Sequence, residues 1–182
     1  VNGMSPSKRN NLYANSGVVV EINVHQDIPK YDHFGALKGL EYQKNLEKLA
    51  FTAGGRTQTA PAQRLTDFVD GTLSNTLNDC SYQPGLKSAP LHSLLPKIIG
   101  GRLRTGFKEF GKKMKRYYTE EANVIGVESR TSSPVSIPRK ENLEHIQIEG
   151  LYPCGEGGGY AGGIVSAAMD GERCAEAAIK GW

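Results

Sequence analysis

The chain has 182 residues, with 22 Lys+Arg against 19 Asp+Glu for a formal net charge of +3, 38% hydrophobic residues and 22 glycines. That is the profile of a soluble globular chain of one or two domains, able to bury roughly 70% of the surface its unfolded form exposes. The charge-free stretch between Glu156 and Asp170 is too glycine-rich and too short to span a bilayer, so no membrane partner is expected.

In chain order, residues 4–16 are polar and turn-rich and lead into residues 18–24, a β-branched run that reads as a strand. From 34 to 53 the residues Leu37, Leu40, Leu46, Leu49 and Ala50 recur at helical spacing, with Gly54-Gly55 as the stop. A shorter helix is expected over 62–70, starting after Pro61, closed by Gly71, and turning Leu65, Phe68 and Val69 inward. Residues 71–90 read as connection. Leu95, Ile99, Leu103, Phe107, Phe110 and Met114 then define an amphipathic helix, whose other face carries Arg102, Arg104, Lys108, Lys112, Lys113, Lys115 and Arg116. Beyond Tyr118 the texture changes to short strand candidates at 122–128, 135–137 and 150–154, and a small-residue helix at 163–180. The whole is an α+β chain with a break near residue 120.

The most informative stretch is the junction between the last strand candidate and the last helix, where six of the nine residues 155–163 are glycine. Glycine allows positive φ and close backbone approach to a ligand, and the helix that follows turns its free N–H groups and positive dipole end toward the loop. The arrangement suits an anionic or electron-rich group; the bland alternative is a tight turn for close packing. Gly157, Gly159 and Gly162 match G-x-G-x-x-G, but no second strand and no downstream acid follow, so the dinucleotide unit is incomplete. Glu156, alone among glycines, is either solvated or an acceptor for ligand hydroxyls.

Residues 151–171 (LYPCGEGGGYAGGIVSAAMDG) and 128–135 (ESRTSSPV), with Asn2-Gly3-Met4-Ser5, Ala14-Asn15-Ser16-Gly17 and Pro61-Ala62-Gln63-Arg64, carry a resemblance over nearly the whole chain. The sequence resembles the C-terminal part of the bacterial "uncharacterised FAD-dependent dehydrogenases", flavoproteins of glutathione-reductase type. The resemblance implies an inserted substrate or cap domain at 1–120, then at 121–182 the last strand and helix of a discontinuous FAD-binding domain within an α/β two-domain flavoprotein. It implies FAD as cofactor, held by Gly155, Glu156, Gly157, Gly158, Gly159, Gly162, Gly163 and Ile164. Glu156 would bond the ribityl chain, and Gly162, Gly163 and Ile164 would turn helix N–H groups to the pyrimidine edge of the flavin. Arg130, Thr131 and Ser132 would line the substrate pocket, with Arg130 able to grip a carboxylate or carbonyl. NAD(P)H is the implied co-substrate. The implied partners are the N-terminal FAD-binding portion, absent from this segment, and a small-molecule substrate; a homo-oligomer is compatible. No catalytic residue is singled out, and the segment alone is expected to be inactive. The alternative is a non-catalytic binding module whose glycine loop holds an anion.

The remaining features argue for less. The basic stripe from Arg102 to Arg116 reads as a solvated face, and no nucleic-acid partner is expected, since no aromatic platform is interleaved with it. His25, His33, His92 and His145 show no metal-ligand spacing. Cys80, Cys154 and Cys174 form no CxxC and no complete disulfide framework, which fits a reducing cytoplasm. Cys154 has no neighbouring cysteine in sequence and reads as a small buried residue at a strand end. The opening Val1 suggests a piece of a longer chain, without a basic–apolar–small leader. The helix at 163–180 is expected to show one apolar face of small residues for the absent sheet, with Asp170, Arg173, Glu176 and Lys180 turned elsewhere.

Overall fold

The computed structural model describes residue 8 and residues 10–181, so the Asn2-Gly3-Met4-Ser5 motif lies outside the described residues. The architecture is α+β, with five α-helices and a small mixed sheet among those residues. Two compact units divide it: residues up to Asn23 join Lys44–Glu128, and Val24–Gln43 joins residues from Ser129 on.

The first unit is built on strand β1 (Ala60–Arg64), which runs between β2 (Leu86–Ser88), parallel to it, and β3 (Asn123–Ile125), antiparallel to it. Proline suits a helix start, so residues 62–64 after Pro61 are expected to be helical. In the fold Pro61 sits mid-strand, and its carbonyl accepts the Gly126 N–H at 3.0 Å while Ala60 donates to Gly85 O at 3.1 Å. A proline in a central strand loses one donor, but here its two alanine neighbours carry the ladder toward β2. Helix α2 (Leu65–Asp70) therefore begins later than expected. It buries Leu65, Phe68 and Val69 as its spacing predicts, and Gly71 closes it in the left-handed region at φ 75°. Pro96 separates a short helix α3 (Leu91–Leu94) from α4 (Lys97–Lys113), so the expected helix does not include Leu95 or Met114. Leu65, Phe68, Val69, Leu91, Leu95 and Phe107 form the apolar core, with Phe68 edge-on to Phe107 at 5.9 Å between centroids.

The run 18–24 is not a strand. Its β-branched residues have no ladder partner, and the carbonyl of Glu21 is taken by the Arg102 guanidinium at 2.8 Å instead.

The second unit opens with a 3-10 helix (Pro29–Leu37) that breaks at Gly35, where φ is 54° and ψ −125°, and runs into α1 (Lys38–Ala53). The helical periodicity from 34 thus becomes α-helix only at Lys38, and the unit boundary falls inside α1 after Gln43. Gln43 Nε2 donates to Ser129 O at 2.8 Å, and a side chain at Gly39 would meet Pro134 Cβ at 2.9 Å, so the start of α1 packs against residues 129–134. The remainder is loop as far as α5 (Ile164–Lys180). The strand candidates at 135–137 and 150–154 are irregular, because side chains and turns satisfy their backbone groups. Ile137 N–H donates to Gly158 O, Leu151 O accepts from His145 N–H, and Pro153 O accepts from Arg139. Among the described residues no helix is long and apolar enough to cross a membrane.

Candidate functional site: the glycine loop at the head of α5

The loop folds as a tight turn on itself. Tyr160 N–H donates to Gly155 O at 3.0 Å, Gly159 N–H to Glu156 O at 3.0 Å, and Gly158 N–H to Cys154 O at 3.3 Å. Residues 133–137 back it: Ser133 Oγ reaches Val135 O at 2.7 Å and Gly157 O at 3.4 Å, and Ile137 N–H reaches Gly158 O at 3.1 Å.

The glycines fall into two sets. Gly155 and Gly159 hold φ of 65° and 83°, where a side chain is strained. A Cβ at Gly159 would lie 2.7 Å from Val135 O, and one at Gly158 would lie 3.0 Å from both Cys154 N and O. The fold itself requires glycine at these positions. Gly157 and Gly162 are different: no atom lies within 4 Å of the place a Cβ would occupy, and neither has a left-handed φ. Gly163 would meet Ser166 Oγ at 3.5 Å, an ordinary contact. Gly157 and Gly162 therefore leave open space along the backbone that nothing in the described chain fills.

Glu156 stands exposed at the tip of this turn. Behind it, α5 begins at Ile164, and the first N–H groups of a helix have no intrahelical acceptor. Ser166 Oγ takes one donor at this end, accepting the Gly163 N–H at 3.1 Å. Of the eight residues the resemblance assigned to a cofactor, the structure thus brings all into one loop and helix start, with the Gly163 amide turned to Ser166. Arg130, Thr131 and Ser132 lie exposed on the irregular stretch before Ser133, and it is Ser133 that reaches the glycine loop.

Sequence reasoning missed the residues that hold the loop. Arg139 donates through Nη1 and Nη2 to Asp170 Oδ2 and Oδ1 at 2.9 and 2.8 Å, and through Nη1 to Pro153 O at 2.8 Å. Asp170 Oδ2 also accepts the Gly155 N–H at 2.9 Å. The Arg139 guanidinium lies 3.6 Å over the Tyr160 ring, and Tyr160 Oη donates to Ile137 O at 2.8 Å. Hydrogen bonds from Arg139, then from Gly155, hold the Asp170 carboxyl down at about 2. Asp170 was expected to turn away from the packed side of α5; it is buried with Cys174, while Ile164, Val165, Met169 and Ile179 are 89, 71, 59 and 76% exposed. Cys154 corrects the sequence reading as well. It is exposed and belongs to no strand, and its thiol lies by that of Cys174, whose pKa is raised chiefly by burial. The spacing of Arg139 from Asp170 carries no periodicity, so only the fold reveals the pair.

A family model described as "FAD-dependent protein, C-terminal domain-like" matches residues 1–131. The chain belongs to this family. It is also 40% identical over 181 residues, 98% of its length, to an "Uncharacterized protein" of Clostridium beijerinckii (strain ATCC 51743 / NCIMB 8052). The chain spans 33% of that relative's length. The glycine loop lies beyond the matched residues, so family membership rests on residues 1–131, while the loop contributes its own geometry.

Proposed function

We propose that this chain is the C-terminal part of an FAD-dependent oxidoreductase of dehydrogenase type, in which the first unit serves as the inserted substrate or cap domain and the second carries the return segment of the FAD-binding domain. The observation that carries the reading is the open backbone at Gly157, beside Glu156 in the turn, and at Gly162, between the turn and the head of a helix. A ribityl chain is a row of hydroxyls, which a carboxylate accepts from, and it lies close only where no side chain intervenes. The residues fit that group: Glu156 bonds ribityl hydroxyls, Gly155, Gly157, Gly158 and Gly159 form the turn beneath it, and Gly162 and Ile164 present amides to the pyrimidine edge. The positive end of the α5 dipole favours negative charge there. When bound, FAD supplies the redox chemistry, with NAD(P)H as the other electron carrier, and the protein supplies position and electrostatics. Arg130, Thr131 and Ser132 line the substrate side. The exposed apolar residues Ile164, Val165, Met169 and Ile179 pack against the N-terminal FAD-binding portion of the longer protein. The cytoplasm is the compartment that suits its unpaired cysteines.

The test is the visible absorption spectrum of the full-length protein, before and after anaerobic NAD(P)H, and again for two variants. An oxidised-flavin spectrum that bleaches is expected, with FAD retention weakened by Glu156→Ala and unchanged by Lys112→Ala on the solvent face of α4. A colourless protein that takes up no added FAD overturns the reading.

A further inference from the structure

The glycine loop is pinned at both ends by one side chain. Its entry is fixed through Pro153 O, bonded to Arg139 Nη1 at 2.8 Å, and through the Gly155 N–H, bonded at 2.9 Å to the carboxylate that Arg139 grips in two-pronged fashion. Its exit is fixed through Tyr160, whose ring lies under the guanidinium at 3.6 Å and whose hydroxyl is anchored on Ile137 O at 2.8 Å. Both charged side chains are 9% exposed, so the geometry is insulated from solvent, and a planar five-donor fork is the group that can make these contacts at once. The turn between the two pinned ends consists of Glu156 and three glycines, which cannot hold a shape through side-chain packing of their own.

We propose that Arg139, acting through Asp170 and Tyr160, is the positioning residue for Glu156: it sets the span of the loop and so the place of the carboxylate that meets FAD. The proposal rests on the flavin reading above. Lysine at 139 retains the charge but lacks the fork and cannot bond Asp170 and Pro153 while covering Tyr160. Asparagine at 170 retains an acceptor for Gly155 and releases the two-pronged grip.

The measurement is FAD affinity of the full-length apoprotein, with thermal unfolding of the apo form alongside, for wild type, Arg139→Lys, Glu156→Ala and the double variant. Each single change is expected to weaken FAD binding about tenfold, and the double variant also only about tenfold, because Arg139 has nothing left to position once Glu156 is gone. A loss of about a hundredfold in the double variant means that the two side chains act independently and overturns the proposal, as does an Arg139→Lys protein with wild-type affinity. If Arg139→Lys does not fold, Asp170→Asn takes its place in the same cycle with the same two outcomes. Failure of the wild type to bind FAD overturns the flavin reading and this proposal with it. Wild-type binding that Glu156→Ala leaves unchanged overturns the Glu156 assignment alone, and positioning through it.

Discussion

The unit containing residues 44–128 buries Phe68, Leu91, Leu65 and Phe107 against one another, whereas the unit completed by residues 129–181 buries an Arg139–Asp170 pair and leaves Ile164, Val165, Met169 and Ile179 in solvent. In the first, shape comes from apolar close packing, and the buried polar groups serve it. Gln63 accepts the His92 N–H at 2.8 Å and reaches His92 Nδ1 at 2.9 Å, and Ser74 Oγ accepts the Arg64 N–H at 2.8 Å. The His92 pKa is lowered by burial and then by Arg104, whose charge disfavours a second cation beside it. In the second, shape comes from charge-assisted hydrogen bonds that dictate a loop, and Ile164, Val165, Met169 and Ile179 of α5 are turned outward. The lesson is a division of labour: a packed core makes a platform, and a hydrogen-bonded clamp shapes a loop.

The largest expected effect tests the packed side. Phe68 is fully buried, edge-on to Phe107. Phe68→Ala should cost about 3–5 kcal/mol through lost burial and the cavity left behind. Thermal unfolding should show the drop, and hydrogen exchange should show lost protection in β1, α2 and α4. A cost below about 1 kcal/mol would mean that the core collapses onto the gap and is not close-packed.

The glycine loop carries the next effect, since its two sets of glycines should respond differently. Gly159→Ala places a Cβ 2.7 Å from Val135 O at a φ of 83° and should destabilise by about 1–3 kcal/mol. Gly157→Ala meets open space and should change stability by less than about 0.5 kcal/mol. Equal losses in unfolding experiments would erase the distinction on which the open backbone rests.

Acid should separate the units. The Asp170 carboxyl is lowered from 3.8 to about 2, so the unfolded chain takes up its proton first as pH falls. The pair's contribution is complete above pH 3.8 and is lost as the pH drops through about 2. Allowing for solvent screening, that loss is on the order of 1–2 kcal/mol. Melting curves between these limits should fall more steeply for wild type than for Asp170→Asn, which has no carboxyl there to titrate. Parallel curves would show that the pair does not hold the second unit.

Much of the first unit is legible in the sequence, and less of the second. The spacing of Leu65, Phe68 and Val69, and of Ile99, Leu103 and Phe107, reports which sides of α2 and α4 turn inward, because a helix facing a core must repeat its apolar residues. β1 is illegible for the converse reason: a short central strand buried on both faces shows no alternation, and Pro61 reads as a helix start. The glycine loop announces itself through composition alone. Its clamp does not, since Arg139 stands in an irregular stretch and Asp170 looks like a solvent-facing helix residue until Gly155 and Arg139 are brought to it. The run 18–24 shows the limit of β propensity, which makes a strand only where a neighbouring strand takes its hydrogen bonds.

The smallest expected effect concerns a polar group that the second unit buries without use. Tyr42 on α1 is 7% exposed, its ring edge-on to Tyr31 at 5.4 Å, and its hydroxyl has no hydrogen-bond partner among the described residues. Its pKa is raised to about 12, first by burial and then by Tyr31 and Asp27, so the hydroxyl stays neutral throughout the physiological range. A buried hydroxyl without a partner loses its bonds to water on folding, and Tyr42→Phe removes that penalty while keeping the ring contact with Tyr31. The variant should be as stable as wild type or more stable, by up to about 1 kcal/mol in denaturant unfolding. A loss of stability instead would mean that the hydroxyl makes a bond in solution, and the second unit would then use its buried polar groups as fully as the first uses Gln63 and Ser74.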